Sequence, residues 1–399
     1  MNLDKLMPDL HARMTAIRRD LHAHPEMAFK EQRTSGLVAE WLVALGIETH
    51  RGIAGTGVVG KLSFGSGQGR TIGLRTDMDA LLLGELNTFA HRSVNPGCMH
   101  ACGHDGHTAM LLGAAEVLAK LRQQDAGQLD GTVYFIFQPA EEHEGGARLM
   151  VKEGLFERFP MDAVFGLHNW PGLPVGQIAI ISGPVMAGAD RFDIVVTGRG
   201  GHAAMPHKST DSIIAATALV QALQTLVSRN TEPLEPAVLS VTRIHAGHTD
   251  NVLPEETVLG GTVRAFSAKQ QTLMENGMQR ICDGIAATYG VRVDMAYNRG
   301  YPPTINSEQE SALCHEVAAQ VMGKDNIRTD LRPSMGAEDF AYLLRERPGC
   351  YSWLGNDCTA NVAKSDCILH GPYFDFNDEI IPLGIRYWVA LVEQSLARR

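Results

Sequence analysis

Thr132-Val133-Tyr134-Phe135-Ile136-Phe137-Gln138-Pro139-Ala140-Glu141-Glu142 is the stretch on which the fold turns. Its first six residues are apolar or β-prone without alternation, which reads as a short strand buried on both faces, as in the parallel sheets of α/β proteins. Two adjacent carboxylates directly after such a strand are costly unless they bind a cation or share a proton. Neighbouring residues point in opposite directions, so one glutamate can ligate a metal while the other stays free as a base. The plainer alternative is a solvated acidic loop.

Working outward, the same arrangement recurs. Upstream, Thr71-Ile72-Gly73-Leu74-Arg75 reads as a strand that runs into Thr76-Asp77-Met78-Asp79. Chemistry in open α/β sheets collects where strands end at their carboxyl edge. Asp77 and Asp79 fit there as ligands or as partners of a ligating histidine, with a loop cap as the alternative. Met99-His100-Ala101-Cys102-Gly103-His104-Asp105-Gly106-His107 packs three histidines and a cysteine ahead of a helix over about 108–121. Thiolate and imidazole suit zinc-like metals. Cys102 and His104, two apart, would share one face of an extended segment. The glycines would let the chain turn around an ion, and Asp105 reads as a helix cap. Downstream, Ala163–Leu167 reads as another strand, ending in His168-Asn169-Trp170-Pro171.

The flanks complete the pattern. Leu6, Leu10, Met14, Ile17 and Leu21 mark a helix over 4–24, closed by His22-Ala23-His24-Pro25-Glu26, and a second helix spans about 34–45. From Gly183 the character changes. Residues 191–198 alternate polar and apolar, followed by a helix (about 211–227), strands (237–244 and 257–265) and a helix (269–289). This suits an α+β domain inserted into a larger one. Asn298-Arg299-Gly300-Tyr301-Pro302-Pro303 reads as the return linker, ahead of helices over 308–321 and 383–396. The expected boundaries are 1–183, 184–298 and 299–399. The first and last parts form an α/β domain with a mixed, mainly parallel sheet flanked by helices.

Bulk properties set the frame. The chain has 399 residues, 44% of them hydrophobic and 20% charged, as in an ordinary globular protein. A formal charge of −10 argues against nucleic acid or an anionic membrane as partner. Seven cysteines without framework spacing suit a reducing compartment. No signal peptide or membrane-length apolar run is visible, so a cytoplasmic location is the expectation. Cys102, His104, Glu142, His168 and His370 together offer sulfur, nitrogen and oxygen donors enough for two divalent metals. A cysteine among them favours zinc, with manganese, cobalt or nickel as alternatives. Glu141 would take a proton from an activated water and return it to a leaving amine.

Eight ordered motifs carry a resemblance: LHAHPE (21–26), RTDMDAL (75–81), MHACGHDGH (99–107), FQPAEEHEGGA (137–147), HNWP (168–171), GRGGHAAMPH (198–207), SMGAEDF (334–340) and LHGPYFDFND (369–378). Over nearly its whole length the chain resembles the dinuclear-metal peptidase and amidohydrolase family of aminoacylases and carboxypeptidases. Within it, the chain is most similar to the branch of hippurate hydrolases, N-acyl-amino-acid amidohydrolases and indole-acetyl-amino-acid hydrolases. The resemblance implies metal ligands at Cys102, His104, Glu142, His168 and His370, with Glu141 as general base and Asp77 beside the site as a supporting catalytic residue. It implies that residues 184–298 form a lid and dimerisation domain, hence a homodimer or dimer-based oligomer. There His202 would stabilise the oxyanion, and Asn251 and Arg264 would grip the substrate carboxylate. The alternative for Asn251 and Arg264 is plain strand-surface chemistry. The implied substrate is a small N-acyl amino acid; the alternatives are a dipeptidase or carboxypeptidase, or a silent metal-binding protein on the same fold. Two departures stand out. Other branches have a ligating histidine where this chain has Arg75, and Leu82 replaces the proline usual after Asp-Ala-Leu.

Overall fold

The computed structural model describes residues 3–125, 127–142, 145–357 and 367–398. The chain divides into two compact units, Met1–Gly183 with Ile305–Arg332 and Tyr342–Arg399, and Pro184–Thr304 with Pro333–Ala341.

The first unit opens with helices α1 (Leu3–Ala23) and α2 (Gln32–Ala44) and an antiparallel pair, β1 (Glu48–Ile53) and β2 (Gly57–Phe64). Then come β3 (Arg70–Asp77), α3 (His104–Gln124), β4 (Gly131–Gln138), α4 (Gly146–Lys152), α5 (Leu155–Arg158), β5 (Ala163–Trp170) and β6 (Ile178–Ala179). The chain next runs through β7 (Gly183–Met186), β8 (Gly188–Thr197), β9 (Gly201–His202), α6 (Ser212–Thr225), β10 (Ala237–Ala246), β11 (Val252–Leu253), β12 (Glu256–Ala265), α7 (Ala268–Tyr289) and β13 (Arg292–Tyr301). It ends with β14 (Thr304–Asn306), α8 (Glu308–Met322), β15 (Ile327–Arg328), α9 (Ala341–Glu346), β16 (Gly349–Gly355) and α10 (Ile381–Leu396).

The sheet of the first unit has eight strands in the order β1-β2-β4-β3-β5-β16-β6-β15. Its centre is parallel (β4 with β3, β3 with β5, β5 with β16), and antiparallel pairs flank it. Every residue of β4 is buried, as its unbroken apolar run predicts. Helices α1, α3 and α10 supply much of the core through Met14, Leu111, Leu112, Ile385 and Trp388. The expected mixed, mainly parallel sheet flanked by helices is what the chain forms.

The second unit carries a four-stranded antiparallel sheet, β10-β12-β8-β13. Phe192, Ile194 and Val196 of β8 and Leu259 and Val263 of β12 pack with Leu219 and Leu223 of α6 and Met274 and Met278 of α7. The alternate residues of each strand form the opposite, helix-free face. One expectation fails here. Asn298–Pro303 reads as a linker from its Gly and Pro content, but its first four residues, Asn298–Tyr301, belong to β13, and the second unit continues to Thr304. Asn298 still pairs with Arg191, and a register shift before Tyr301 absorbs the glycine. Among the described residues no helix is long and apolar enough to cross a membrane.

Candidate metal centre

Five chain segments of the first unit deliver the site, the fifth being the turn at His370 between β16 and α10. β3 ends at Asp77, β4 leads into Glu141 and Glu142, β5 carries His168 near its carboxyl end, and α3 begins at His104. The helix therefore starts four residues earlier than its apolar pattern suggests, and His104 is its first residue rather than part of an extended segment. Gly103 makes this possible. It holds φ +94°, and a Cβ there would lie 2.1 Å from Asn169 Oδ1. Gly106 serves packing rather than a turn, since a Cβ would lie 2.2 Å from the Phe376 ring. Asp105 is no cap; it sits inside the first turn and its Oδ2 accepts from His22 Nδ1 at 2.8 Å. Burial works against a charge on His22, but its bonds to Asp105 and Glu85 lift it to about 9.

The turn after β4 is equally specific. Ala140 has a positive φ of 56°, unusual for a residue with a side chain, and its amide donates to buried Glu31 Oε1 at 2.9 Å. Glu31 also accepts from the Thr56 hydroxyl at 2.6 Å, and burial pushes its carboxyl up to about 7. Asp79 then clamps the next two residues. Its Oδ1 accepts the Glu141 amide at 3.0 Å, its Oδ2 accepts the Glu142 amide at 2.9 Å, and its carbonyl accepts from His104 Nδ1 at 2.8 Å. One aspartate thus ties both glutamates and a histidine to the β3 end. Asp79 is neither a loop cap nor within any of the donor clusters below.

The donors converge in overlapping sets. In each of Cys102–His104–His168, Cys102–Glu142–His370 and His104–Glu141–Glu142, the donor atoms lie within 4.8 Å of one another. Cys102 Sγ is 3.3 Å from His168 Nε2, and Glu142 Oε1 is 3.2 Å from His370 Nε2. His168 Nδ1 donates to the Asn169 carbonyl at 2.6 Å, leaving Nε2 as the lone-pair nitrogen; burial, then the nearby His107, holds this ring well below its ordinary value. His370 sits in a left-handed turn, φ 61°, anchored by its amide to the Ala101 carbonyl at 2.8 Å. Its side chain is half exposed, so the cluster is open on this side.

Asp77 is buried beneath the cluster. It accepts from His107 Nδ1 at 2.7 Å and from Arg75 Nη1 at 2.7 Å. Burial opposes its charge, yet His104, Arg75 and His107 hold its carboxyl well below the usual range. His107 Nε2 in turn accepts the Asn169 amide at 3.0 Å. Arg75, which stands where other branches have a ligating histidine, neutralises Asp77 and donates to Gln138 Oε1 at 2.7 Å. His24 binds the Asp20 carbonyl and joins no donor cluster. His143 and Glu144 of the FQPAEEHEGGA motif lie outside the described residues.

These residues fit divalent metal. His104 Nε2 is buried without a hydrogen-bond partner, and buried Glu142 Oε1 has only the His370 ring beside it, outside hydrogen-bond geometry; both are costly for polar atoms with no other use. Burial lowers the His104 pKa, but Asp77 and Asp79 outweigh it and hold the ring at about 10. The field that stabilises a proton on Nε2 stabilises a cation there equally.

Sequence comparison places this geometry in a family. The profile of peptidase family M20/M25/M40 matches residues 73–394. The chain belongs to peptidase family M20/M25/M40. It is 38% identical to a hippurate hydrolase of Campylobacter jejuni, over 99% of this chain and 100% of that protein. An N-acyl-L-amino acid amidohydrolase of Geobacillus stearothermophilus is 44% identical over 77% of this chain and 81% of its own. Among solved structures, a Bacillus subtilis protein described as a dinuclear metal binding peptidase of the M20 family superposes with a TM-score of 0.84 at 34% identity, covering 98% of this chain and 99% of that one.

The remaining expected residues of this M20 chain lie in its second unit. His202 pairs with Val252 across the short β9–β11 ladder, and the Ala203 amide donates to the Asn251 carbonyl at 3.0 Å, so His202 and Asn251 are neighbours. His202 Nδ1 accepts the Ala204 amide at 3.1 Å. Arg264 stands apart from them, on the helix-free face of β12. Sequence reasoning missed Glu31 and the roles of Arg75 and Asn169. A buried acid just ahead of α2 has no local signal of its target 109 residues away.

Proposed function

We propose that this chain is a metal-dependent amidohydrolase that cleaves the amide of N-acyl amino acids, hippurate-like substrates among them, to a carboxylic acid and a free amino acid. The observation that carries the reading is the Asp79 clamp, which holds Glu141 and Glu142 side by side, both with a carboxylate oxygen in the donor set with His104. The names of the relatives, a hippurate hydrolase and an N-acyl-L-amino acid amidohydrolase, support the substrate class.

In this proposal Cys102, His104, Glu142, His168 and His370 hold two divalent ions. Bound there, such ions supply Lewis acidity to the amide carbonyl and lower the pKa of water. Glu141 accepts the proton of the attacking water and returns it to the departing nitrogen. Asp77 fixes His107 and offsets the positive charge of Arg75. His202 accepts the Ala204 amide at Nδ1, so its neutral ring carries its proton on Nε2 and can donate to a developing oxyanion. Arg264 would fork onto the amino-acid carboxylate; Asn251, which stands with His202 and apart from Arg264, would join it there only from the partner subunit of a dimer. The thiolate supports zinc as the native metal. A homodimer belongs to the same proposal, supported by β10, an edge strand with Ile244 exposed. A cytoplasmic location is supported by six buried cysteines that form no disulfide among the described residues.

The test combines metal analysis with a panel of N-benzoyl amino acids, N-acetyl amino acids and free dipeptides. N-acyl substrates should be turned over, and Glu141→Gln should lose activity by at least a hundredfold while keeping two metals. Full activity in the variant rules out Glu141 as the base, and faster turnover of free dipeptides makes the chain a peptidase.

A further inference from the structure

The helix-free face of the second unit's sheet presents two arginines that make no ion pair with a carboxylate among the described residues. Arg264 of β12 pairs in register with Ala189, and Thr262, two residues earlier, pairs with Arg191 of β8. Residues opposite one another in an antiparallel ladder share a face, as do residues two apart. Arg191 and Arg264 are therefore diagonal neighbours on one face, with Cβ atoms roughly 7 Å apart, well within reach of such long side chains. Phe192 and Val263, the alternate residues, lie in the core on the other side.

Neither guanidinium has a hydrogen bond or ion pair among the described residues. The carboxylates around them are engaged elsewhere. Asp193 pairs with Arg243, and Asp294 with Arg292 at 2.8 Å. Asp190 points to the helix side, where it accepts from Tyr297 Oη at 2.7 Å, Gln271 Nε2 at 2.9 Å and the Gly300 amide at 3.1 Å. Arg264 is half buried; this burial and then the Arg191 charge make its proton less tightly held than on a free arginine. Two guanidinium groups side by side, one of them partly desolvated and with only the Asp190 charge to offset it, form a ready seat for an anion. Arg191 is exposed.

We propose that Arg191 completes a two-guanidinium site with Arg264 and selects N-acyl derivatives of dicarboxylic amino acids. This rests on the reading that Arg264 binds the α-carboxylate; Arg191 then receives the side-chain carboxylate of aspartate or glutamate. A charge-assisted pair of this kind contributes about ten- to a hundredfold in affinity.

The experiment compares kcat/KM for N-acetyl-glutamate and N-acetyl-glutamine on the metal-loaded wild type, Arg191→Ala and Arg191→Lys. The wild type should prefer the glutamate derivative, Arg191→Ala should lose that preference by about tenfold or more, and Arg191→Lys should recover part of it. An unchanged ratio overturns the proposal, and so does an equal loss on both substrates, which would mean that both arginines hold a single carboxylate. Calorimetry with glutarate and butyrate reads the same site without turnover. If glutarate binds more tightly only when Arg191 is present, the anion site stands even where no N-acyl amino acid is hydrolysed, and the proposed function alone fails. If the two acids bind the wild type equally, the two-guanidinium site is wrong.

Discussion

Glu31 is a carboxyl with no exposed surface, and its position explains a turn that would otherwise be strained. Its Oε1 holds the Ala140 amide and its Oε2 the Thr56 hydroxyl, fixing the left-handed residue that aims Glu141 and Glu142. Burial raises its pKa from 4.5 to about 7. The folded protein thus holds this proton more tightly than the unfolded chain does. That contribution is complete below pH 4.5 and is lost as pH rises through about 7. Glu31→Gln, neutral at every pH and able to donate to Thr56, should escape the loss. Chemical denaturation from pH 4.5 to 8 should show the variant gaining on wild type by roughly 3 kcal/mol at the upper end. Parallel curves would mean that Glu31 is ionised without cost. Nothing in the residues around position 31 announces this role, because its partners at 56 and 140 are brought to it only by the fold.

At the level of elements, what the sequence discloses depends on whether the cause is local. The unbroken apolar run of β4 and the alternation of β8 are local, and both strands form where the pattern puts them. The start of α3 is not. Its first residues, His104-Asp105-Gly106-His107, lack an apolar stripe, and they become helical because Gly103 turns left-handed against Asn169 of β5. The far end of β13 is similar, since Gly300-Tyr301 ahead of two prolines reads as a break until β8 pairs with Tyr301. The donor types of the candidate site could be named from sequence, but their grouping required strand order. Gly103→Ala tests the α3 junction. A Cβ in a left-handed position and against Asn169 should cost roughly 1–3 kcal/mol. The ends that carry Cys102 and His104 would shift with it. Thermal unfolding should report the stability loss, and titration with zinc should show weaker binding than in wild type. Undiminished zinc affinity would separate the glycine from the site.

For the molecule as a whole, the two units have separate cores, and the five proposed ligands Cys102, His104, Glu142, His168 and His370 belong to the first. A ligand that binds only the folded state stabilises what it binds, by about 2.7 kcal/mol at a hundredfold excess over Kd. Zinc or manganese added to the metal-stripped protein should therefore raise the unfolding temperature of the first unit. Phe192→Ala, which opens a cavity under the second unit's sheet, should cost about 3–5 kcal/mol there. Metal stoichiometry should stay the same in that variant, as read by elemental analysis and calorimetry. Loss of metal in Phe192→Ala would mean that the units do not fold independently.

The strand order also bears on how the chain is made. The partner of β5 is β16, which begins 179 residues after β5 ends. While the ribosome synthesises the intervening segment, one side of β5 has no neighbour, and His168 waits for a histidine at 370. The sheet β10-β12-β8-β13 is encoded without interruption between residues 188 and 301 and can close first. The nascent first unit is thus a sheet with an open apolar edge for the longest part of translation. That interval is when it is most exposed to mispairing with other chains and most in need of a chaperone.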